Sequence, residues 1–151
     1  MPLLVSNLEG TAPKDCAGAD RSLAGQVVKC LVNLVATVSP GAKRGATAPY
    51  SFADFVEVLQ LCRNDGNANP AKWPVVTCFL AYSQPDVHVC VKPTTIKKVA
   101  SRLGVDIAYR PLPNFDTYSR VQAMVRDFRQ HSVLAREQNN IIAQAIMYCT
   151  V

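Results

Sequence analysis

Charge is scarce in this sequence. Only 18% of its 151 residues are charged, whereas 49% are hydrophobic, and the 16 Lys and Arg residues exceed the 11 Asp and Glu residues by five. Because a disordered chain combines low hydrophobicity with high net charge, the composition excludes disorder as a description of the whole protein. The thin spread of positive charge also excludes a densely basic tail. The length suits one domain, and so little surface charge indicates that other molecules or copies of the chain cover part of its surface.

A long apolar run is also lacking. Spanning a bilayer takes about 18 apolar residues or more, and the best candidate, residues 23–38, is interrupted by Gln26, Lys29 and Asn33. Residues 1–8 have no basic segment of the kind that opens a signal peptide, and no Asn-x-Ser/Thr glycosylation sequon occurs. We therefore expect a cytoplasmic protein that is not secreted and has no membrane partner.

The cysteines lack the spacing of a metal or redox site. None of the six belongs to a C-x-x-C pair, and most lie within apolar runs, so we expect reduced thiols that behave as small hydrophobes. His88, Cys90 and Cys78 could supply three zinc ligands, but a structural zinc site normally shows paired ligands at two-to-four-residue spacing and a fourth ligand. No metal ion or other cofactor is expected. The cysteines are Cys16, Cys30, Cys62, Cys78, Cys90 and Cys149.

Catalytic signatures are absent as well. Residues 41–45 place glycines around two cations but lack the residue order of a phosphate-binding loop, and no cysteine carries the local pattern of a nucleophile. We expect that the protein is not an enzyme. A small cysteine- or zinc-dependent enzyme is the alternative function that the sequence supports least.

The distribution of proline and glycine predicts a mainly α fold. Residues 1–19 contain two prolines and two glycines without periodicity and are predicted to form an extended arm. Residues 20–151 are predicted to form a single, mainly helical domain, a compact bundle with a long C-terminal helix. A possible small β-hairpin covers residues 75–91, because residues 87–91 alternate in polarity. A buried helix is the alternative for its first half.

The region between residues 116 and 149 contains neither proline nor glycine. It predicts one helix of about 30 residues or two collinear helices. A spacing of about 100° per residue places an apolar face on one side and three arginines on the other. These arginines are either the solvated face of an amphipathic helix or a ridge that contacts phosphate. The apolar face comprises Met124, Phe128, Leu134, Ile141, Ile142, Ala145, Ile146 and Cys149.

Two further groups of cations complete the candidate nucleic-acid-binding residues. One lies in the glycine-flanked segment 41–45, where a flexible backbone allows close approach to a polyanion, although a solvated loop explains it equally well. The other lies on a short predicted helix that ends at Gly104. The candidates are Lys43, Arg44, Lys97, Lys98, Arg102, Arg126, Arg129 and Arg136.

Residues 94–105, T-T-I-K-K-V-A-S-R-L-G-V, resemble the first helix and the turn of a helix-turn-helix of the Lac-repressor type, with Ala100 and Gly104 at the expected positions. The resemblance implies that a recognition helix follows. Residues 107–114 depart from that pattern, because two prolines interrupt any such helix. A regulatory nucleic-acid-binding module, such as a repressor or a silencing suppressor, is the second hypothesis.

The composition as a whole resembles that of coat proteins of small RNA viruses, of the kind that builds rods or filaments. Few charges, many Ala, Val, Asn, Thr and Pro residues, an arm, basic loops and no catalytic signature are the shared features. The resemblance implies a capsid protein of a virion, a homo-oligomer in a helical assembly. Our leading hypothesis is therefore a self-assembling structural protein that coats or packages RNA. Its partners are copies of itself and the RNA phosphates, which a few Lys and Arg residues contact.

Overall fold

Six helices make up most of the chain that the computed structural model describes, which comprises residues 19–36, 49–63 and 69–149. No strand occurs in these ranges, and the mainly helical prediction is confirmed. No helix there is both long and apolar enough to cross a membrane. The predicted arm, apart from Ala19, lies outside the described residues. The helices are α1 (Ala19–Ala36), α2 (Pro49–Leu61), α3 (Trp73–Ser83), α4 (Pro93–Leu103), α5 (Phe115–His131) and α6 (Asn140–Cys149).

Aromatic side chains from three helices form the centre of the core. Phe52 on α2 stacks on Tyr118 on α5, with ring centroids 5.1 Å apart. The Phe52 ring also lies 6.5 Å from that of Trp73, the first residue of α3. The Trp73 indole Nε1 donates a hydrogen bond of 2.8 Å to the Arg110 carbonyl, which holds the loop between α4 and α5 against the core. Because buried aromatic rings remove large apolar areas from water, these contacts stabilise the arrangement of α2, α3 and α5.

Helix α1 lies at the side of the bundle, where it packs mainly against α2 and also contacts α3. Leu34 is its one fully buried side chain among those described, whereas Val28 and Val32 are more than half exposed. Helix α5 contacts α2 and α6, and α4 contacts α6. The core therefore runs from α2 through α3 and α5 to α6, with α1 and α4 on its flanks.

The possible hairpin at residues 75–91 does not form, and this prediction is wrong. Residues 75–82 belong to helix α3, the alternative that the sequence left open. Two valines and a threonine at 75–77 favour a strand, but propensity is a weak determinant when burial opposes it. Pro74 lies in the first turn of α3, where a missing N–H costs nothing. The face that α3 buries comprises Trp73, Val76, Thr77, Leu80 and Ala81, the spacing of a helix.

The segment 87–91, whose residues alternate in polarity, is buried or half-buried. Polar side chains form the hydrogen bonds to its backbone that a neighbouring strand would otherwise form. Gln144 on α6 accepts a hydrogen bond from the Cys90 N–H and donates one to the Cys90 carbonyl, each 3.0 Å long. Thr77 Oγ1 accepts from the Val91 N–H at 2.9 Å. Since burial removes the backbone groups from water, they need these partners. Alternation in this sequence therefore marks a segment that passes between helices.

The region free of proline and glycine forms two helices, α5 and α6, that pack against each other. This corrects the prediction of a single long C-terminal helix. After α5, the Ser132 N–H donates to the Phe128 carbonyl at 2.9 Å, and a turn follows. Asn139 Oδ1 then accepts a hydrogen bond of 3.0 Å from the Ile142 N–H, which is the bond of an N-cap residue. An asparagine cap thus starts a new helix without any proline or glycine.

The break also changes which side chains are buried. Leu134, predicted on the apolar face, lies in the linker between α5 and α6 and is 73% exposed. Ile142, predicted on the same face, is 44% exposed. Helix α6 instead buries a face of mixed polarity, because its polar side chains bond the segment 87–91. That face comprises Asn140, Ala143, Gln144 and Met147.

Candidate nucleic-acid interface

Three of the predicted arginines lie together around one depression. Arg126 and Arg129 project from α5, and Arg136 comes from the linker between α5 and α6. Together with Gln130 they line an open depression of about 200 Å³. The three arginines line one depression, but they do not do so as a stripe along one helix. The linker returns Arg136 to the surface of α5, whereas a continuous helix was expected to align them.

The turn in the linker places Arg136. The Arg136 N–H donates to the Ser132 carbonyl at 3.0 Å, and the Ala135 N–H donates to the same carbonyl at 3.2 Å. Ala135 is fully buried and anchors the turn in the core. Val133 and Leu134, on the other side of this anchor, are 84% and 73% exposed. The linker therefore presents an apolar pair and a cation within four consecutive residues.

Arg129 is the most constrained of the three arginines. Its Nη1 donates a hydrogen bond of 2.9 Å to Asn140 Oδ1. Asn140 is itself buried and donates from its backbone N–H to the Pro85 carbonyl at 2.8 Å and from Nδ2 to the His88 carbonyl at 3.3 Å. The Arg129 Nε is buried and has no hydrogen-bond partner among the described residues. The interior of the protein therefore fixes the orientation of this guanidinium, while one of its donors is unsatisfied.

Among the described residues, no carboxylate lines the depression. Within the part of the chain that the structure describes, Arg126, Arg129 and Arg136 form no ion pair. Asp116 pairs with Arg120 at 3.1 Å, and Asp127 lies 3.3 Å from His131. Asp127 and Glu137, the chain neighbours of Arg126 and Arg136, are exposed and form no ion pair with these arginines within the described residues. Because a guanidinium stays charged at any physiological pH, the depression is a concentrated positive site on a protein with few charges.

The second basic group lies on the solvent side of α4. Lys97, Lys98 and Arg102 are exposed, whereas Ile96 and Val99 are buried on the opposite face. This arrangement is that of an amphipathic helix. The Lys97 ammonium lies 5.0 Å from the centroid of the Tyr109 ring, a cation–π contact that restrains it. The residues of this face are not among those that line the arginine depression, and Lys43 and Arg44 lie outside the described residues.

The segment after α4 is not a recognition helix. Gly104 adopts the left-handed conformation that ends α4, as the turn residue was predicted to do. Residues 105–114 contain no helix, and α5 begins only at Phe115. The sequence departs from the helix-turn-helix pattern at the two prolines, and the structure has no recognition helix at that position.

The candidate zinc ligands lie in the packed interior of the protein: His88 is buried, and Cys78 and Cys90 are half-buried. His88 is fully buried, and its Nδ1 lies 3.0 Å from the Tyr118 hydroxyl and 3.2 Å from the Gln122 Nε2. Because the Gln122 amide nitrogen is a donor, Nδ1 accepts, and the ring proton resides on Nε2. Burial lowers the pKa of His88 to about 4 and raises the pKa values of the Cys78 and Cys90 thiols. The described residues contain no group of three His, Cys, Asp or Glu side chains that could hold a metal ion.

Residues that the sequence analysis missed complete the site. Asn140 orients Arg129, and Gln130 lines the depression. The adjacent asparagines at 139 and 140 were the available signal, since asparagine is favoured at helix starts and disfavoured within helices.

No known protein family, curated protein or solved structure significantly matches this chain. The arginine depression and the face of α4 share exposed cations, and no carboxylate of the described ranges lines the depression. A polyanion is the class of ligand that such surfaces fit.

Proposed function

We propose that this protein is a self-assembling structural protein that coats or packages RNA, as a capsid or nucleocapsid protein does. The observation that carries the proposal is the depression lined by Arg126, Arg129 and Arg136. Guanidinium groups bind phosphate oxygens through paired hydrogen bonds, and no ion pair within the described ranges competes for these three. Such contacts attach the protein to the RNA backbone without selecting a sequence.

Exposed apolar side chains support the self-assembly part of the proposal. A chain with 18% charged residues covers little of its surface with charge, and large apolar exposed residues favour contact between copies. Two of them, Val133 and Leu134, adjoin Arg136, so that contacts between copies and contacts with RNA would lie side by side. Among the described residues, those with more than half of the side chain exposed are Val28, Val32, Leu61, Tyr82, Val133 and Leu134.

Size-exclusion chromatography with light scattering and ultraviolet absorbance tests the proposal. We expect large oligomers at low salt, with an absorbance ratio that reveals bound nucleic acid. Affinity for single-stranded RNA should fall with salt, with a log–log slope near −2 if three arginine–phosphate contacts release counterions. A monomer at micromolar concentration whose RNA binding is absent or independent of salt would overturn the proposal.

A second candidate function follows from α4. Its exposed Lys97, Lys98 and Arg102 form a basic face on an amphipathic helix, which suits a regulatory nucleic-acid-binding module. That function predicts a small dimer with a preference for one sequence or duplex shape. The double variant Lys98→Glu/Arg102→Glu would then abolish nucleic-acid binding and leave the oligomeric state unchanged. If RNA coating through the depression is correct, the same variant retains most of its RNA affinity.

A further inference from the structure

We infer that the arginine depression binds a single phosphate monoester, presented by the end of an RNA strand or by a small phosphorylated molecule. The inference deepens the proposed function and rests on it for RNA as the source of that group. The shared chemistry is a dianionic phosphate with three free oxygens. An internal phosphodiester has one negative charge and two such oxygens.

The shape of the site favours one phosphate. Arg126 and Arg129 are three residues apart and therefore neighbours on one face of α5, and Arg136 reaches the same place from the linker. The three cations surround a depression of about 200 Å³ instead of following one another along a groove. A surface that follows an RNA strand needs a positively charged groove along the backbone, whereas these three arginines line one depression.

The charge of the site favours a monoester. Three guanidinium groups without an ion pair in the described chain contribute a charge of about +3, which the exposed carboxylates of Asp127 and Glu137, next to Arg126 and Arg136 in the chain, partly offset. A phosphate monoester carries about −1.5 to −2 near neutral pH and presents three strong acceptor oxygens. It neutralises the site better than a diester does, and each arginine finds an oxygen of its own.

The hydrogen bond that holds Arg129 in place favours a specific site over a diffuse positive patch. Asn140 holds Nη1 in place at 2.9 Å, so the guanidinium loses little freedom when an anion binds. Its buried Nε is a donor without a partner among the described residues, which an anion in the depression can compensate electrostatically. Asn140 is thus a positioning residue that acts through Arg129.

The test compares ligands that differ only in the terminal phosphate. Binding of the full chain to a short single-stranded RNA with a terminal phosphate monoester is measured beside the same RNA with a terminal hydroxyl. A nucleoside monophosphate, its nucleoside and inorganic phosphate complete the series. We expect at least tenfold tighter binding of the phosphorylated RNA.

Two variants test whether the preference for a terminal phosphate depends on the arginine depression. Arg129→Lys keeps the charge but loses the planar fork, and we expect it to reduce the phosphate preference severalfold while changing affinity for the hydroxyl-ended RNA little. Arg63→Gln removes one charge at an exposed position that does not line the depression, and it should leave the preference intact. If Arg129→Lys unfolds, Arg126→Lys and Arg136→Lys replace it, because both side chains are exposed.

Each outcome separates the two proposals. Equal affinity for the two RNAs overturns this inference and leaves RNA coating in place. Binding of the monophosphate or of inorganic phosphate without RNA binding supports the inference, identifies a small phosphorylated ligand and overturns RNA coating. Absence of binding to every ligand in the series overturns both. A preference that persists in all three lysine variants also overturns the assignment to this depression.

Discussion

At the scale of single residues, burial determines which polar groups are neutral. His88 is fully buried beside Tyr118, and burial lowers the pKa of the imidazole to about 4 and raises that of the phenol. The two neutral groups then share a hydrogen bond in which the Tyr118 hydroxyl donates to Nδ1. Tyr148, which accepts from Gln144 Nε2, has its pKa raised to about 12, first by burial. The centre of the bundle therefore depends on neutral side chains.

This dependence predicts instability in acid. An unfolded histidine titrates near pH 6.5 and the folded His88 near pH 4, so the unfolded state binds more protons between these values. The contribution of His88 to the free energy of unfolding is complete above about pH 6.5. It falls as pH decreases and is about 3 kcal/mol smaller by pH 4.

Denaturant titrations at several pH values between neutrality and pH 4 measure this loss. The variant His88→Gln should be less stable at neutral pH but should lack this part of the pH dependence. His131→Gln is the matched control, because His131 is exposed and is the only other histidine. If His131→Gln flattened the profile and His88→Gln did not, the assignment to His88 would be wrong.

At the scale of elements, local signals were sufficient where one residue type determines the backbone. The end of α4 was predicted from Gly104, which has φ +65° in the structure. The following Val105 N–H donates to the Ala100 carbonyl at 2.9 Å, the bond that closes such a helix end. The start of α5, which the sequence analysis placed at residue 116, is set in the structure by Asn114, whose Oδ1 accepts from the Thr117 N–H at 2.9 Å.

Substitution of Gly104 tests whether this one residue determines how α4 ends. An added Cβ meets no atom within 4 Å, so Gly104→Ala costs only the strain of the left-handed backbone, about 1 kcal/mol. Gly25→Ala is the control, since Gly25 is exposed within α1 and also has free space. It should stabilise the protein by about 0.5–1 kcal/mol. Thermal unfolding of the two variants should therefore shift in opposite directions, and a shift in the same direction would contradict this account.

Elements that depend on distant contacts were not predictable. Residues 87–91 alternate as a strand does, yet their partners are the side chains of Thr77 and Gln144, which the sequence does not connect to them. The break between α5 and α6 depends on Ala135 entering the core and on Asn140 bonding the Pro85 carbonyl. Periodicity describes one helix at a time, so it contains no information about such contacts.

At the scale of the whole molecule, the linker between α5 and α6 joins the two parts of the proposed function. It presents Val133 and Leu134 to solvent and Arg136 to the depression. A protein that coats RNA benefits from this proximity, because contact between copies then places their cation sites at regular intervals along a strand.

We expect the double variant Val133→Ser/Leu134→Ser to assemble less than the wild type. Both side chains are exposed, so the substitutions should change the free energy of unfolding by no more than about 0.5 kcal/mol each. Light scattering across a concentration series measures the assembly. Gln26→Ser is the control, since Gln26 is exposed on α1 and is not one of the apolar residues assigned to contact between copies. Assembly of the double variant at wild-type concentrations would show that the linker is not a contact between copies.

The amino-acid sequence by itself determined the helical class, the turn at Gly104 and the arginines that bear the candidate function, because these follow from composition, local conformation and charge. The tertiary structure alone decided that residues 75–82 are a helix, that residues 87–91 are bonded by Gln144 and Thr77, and that Arg136 joins Arg126 and Arg129. The physical reason is that each outcome depends on which groups are buried together. The backbone groups of residues 87–91 need partners when they are buried, and those partners lie 14 and 54 residues away in the chain. Residues 75–82 and the turn at Arg136 form their backbone hydrogen bonds locally, but distant helices determine which of their side chains are buried.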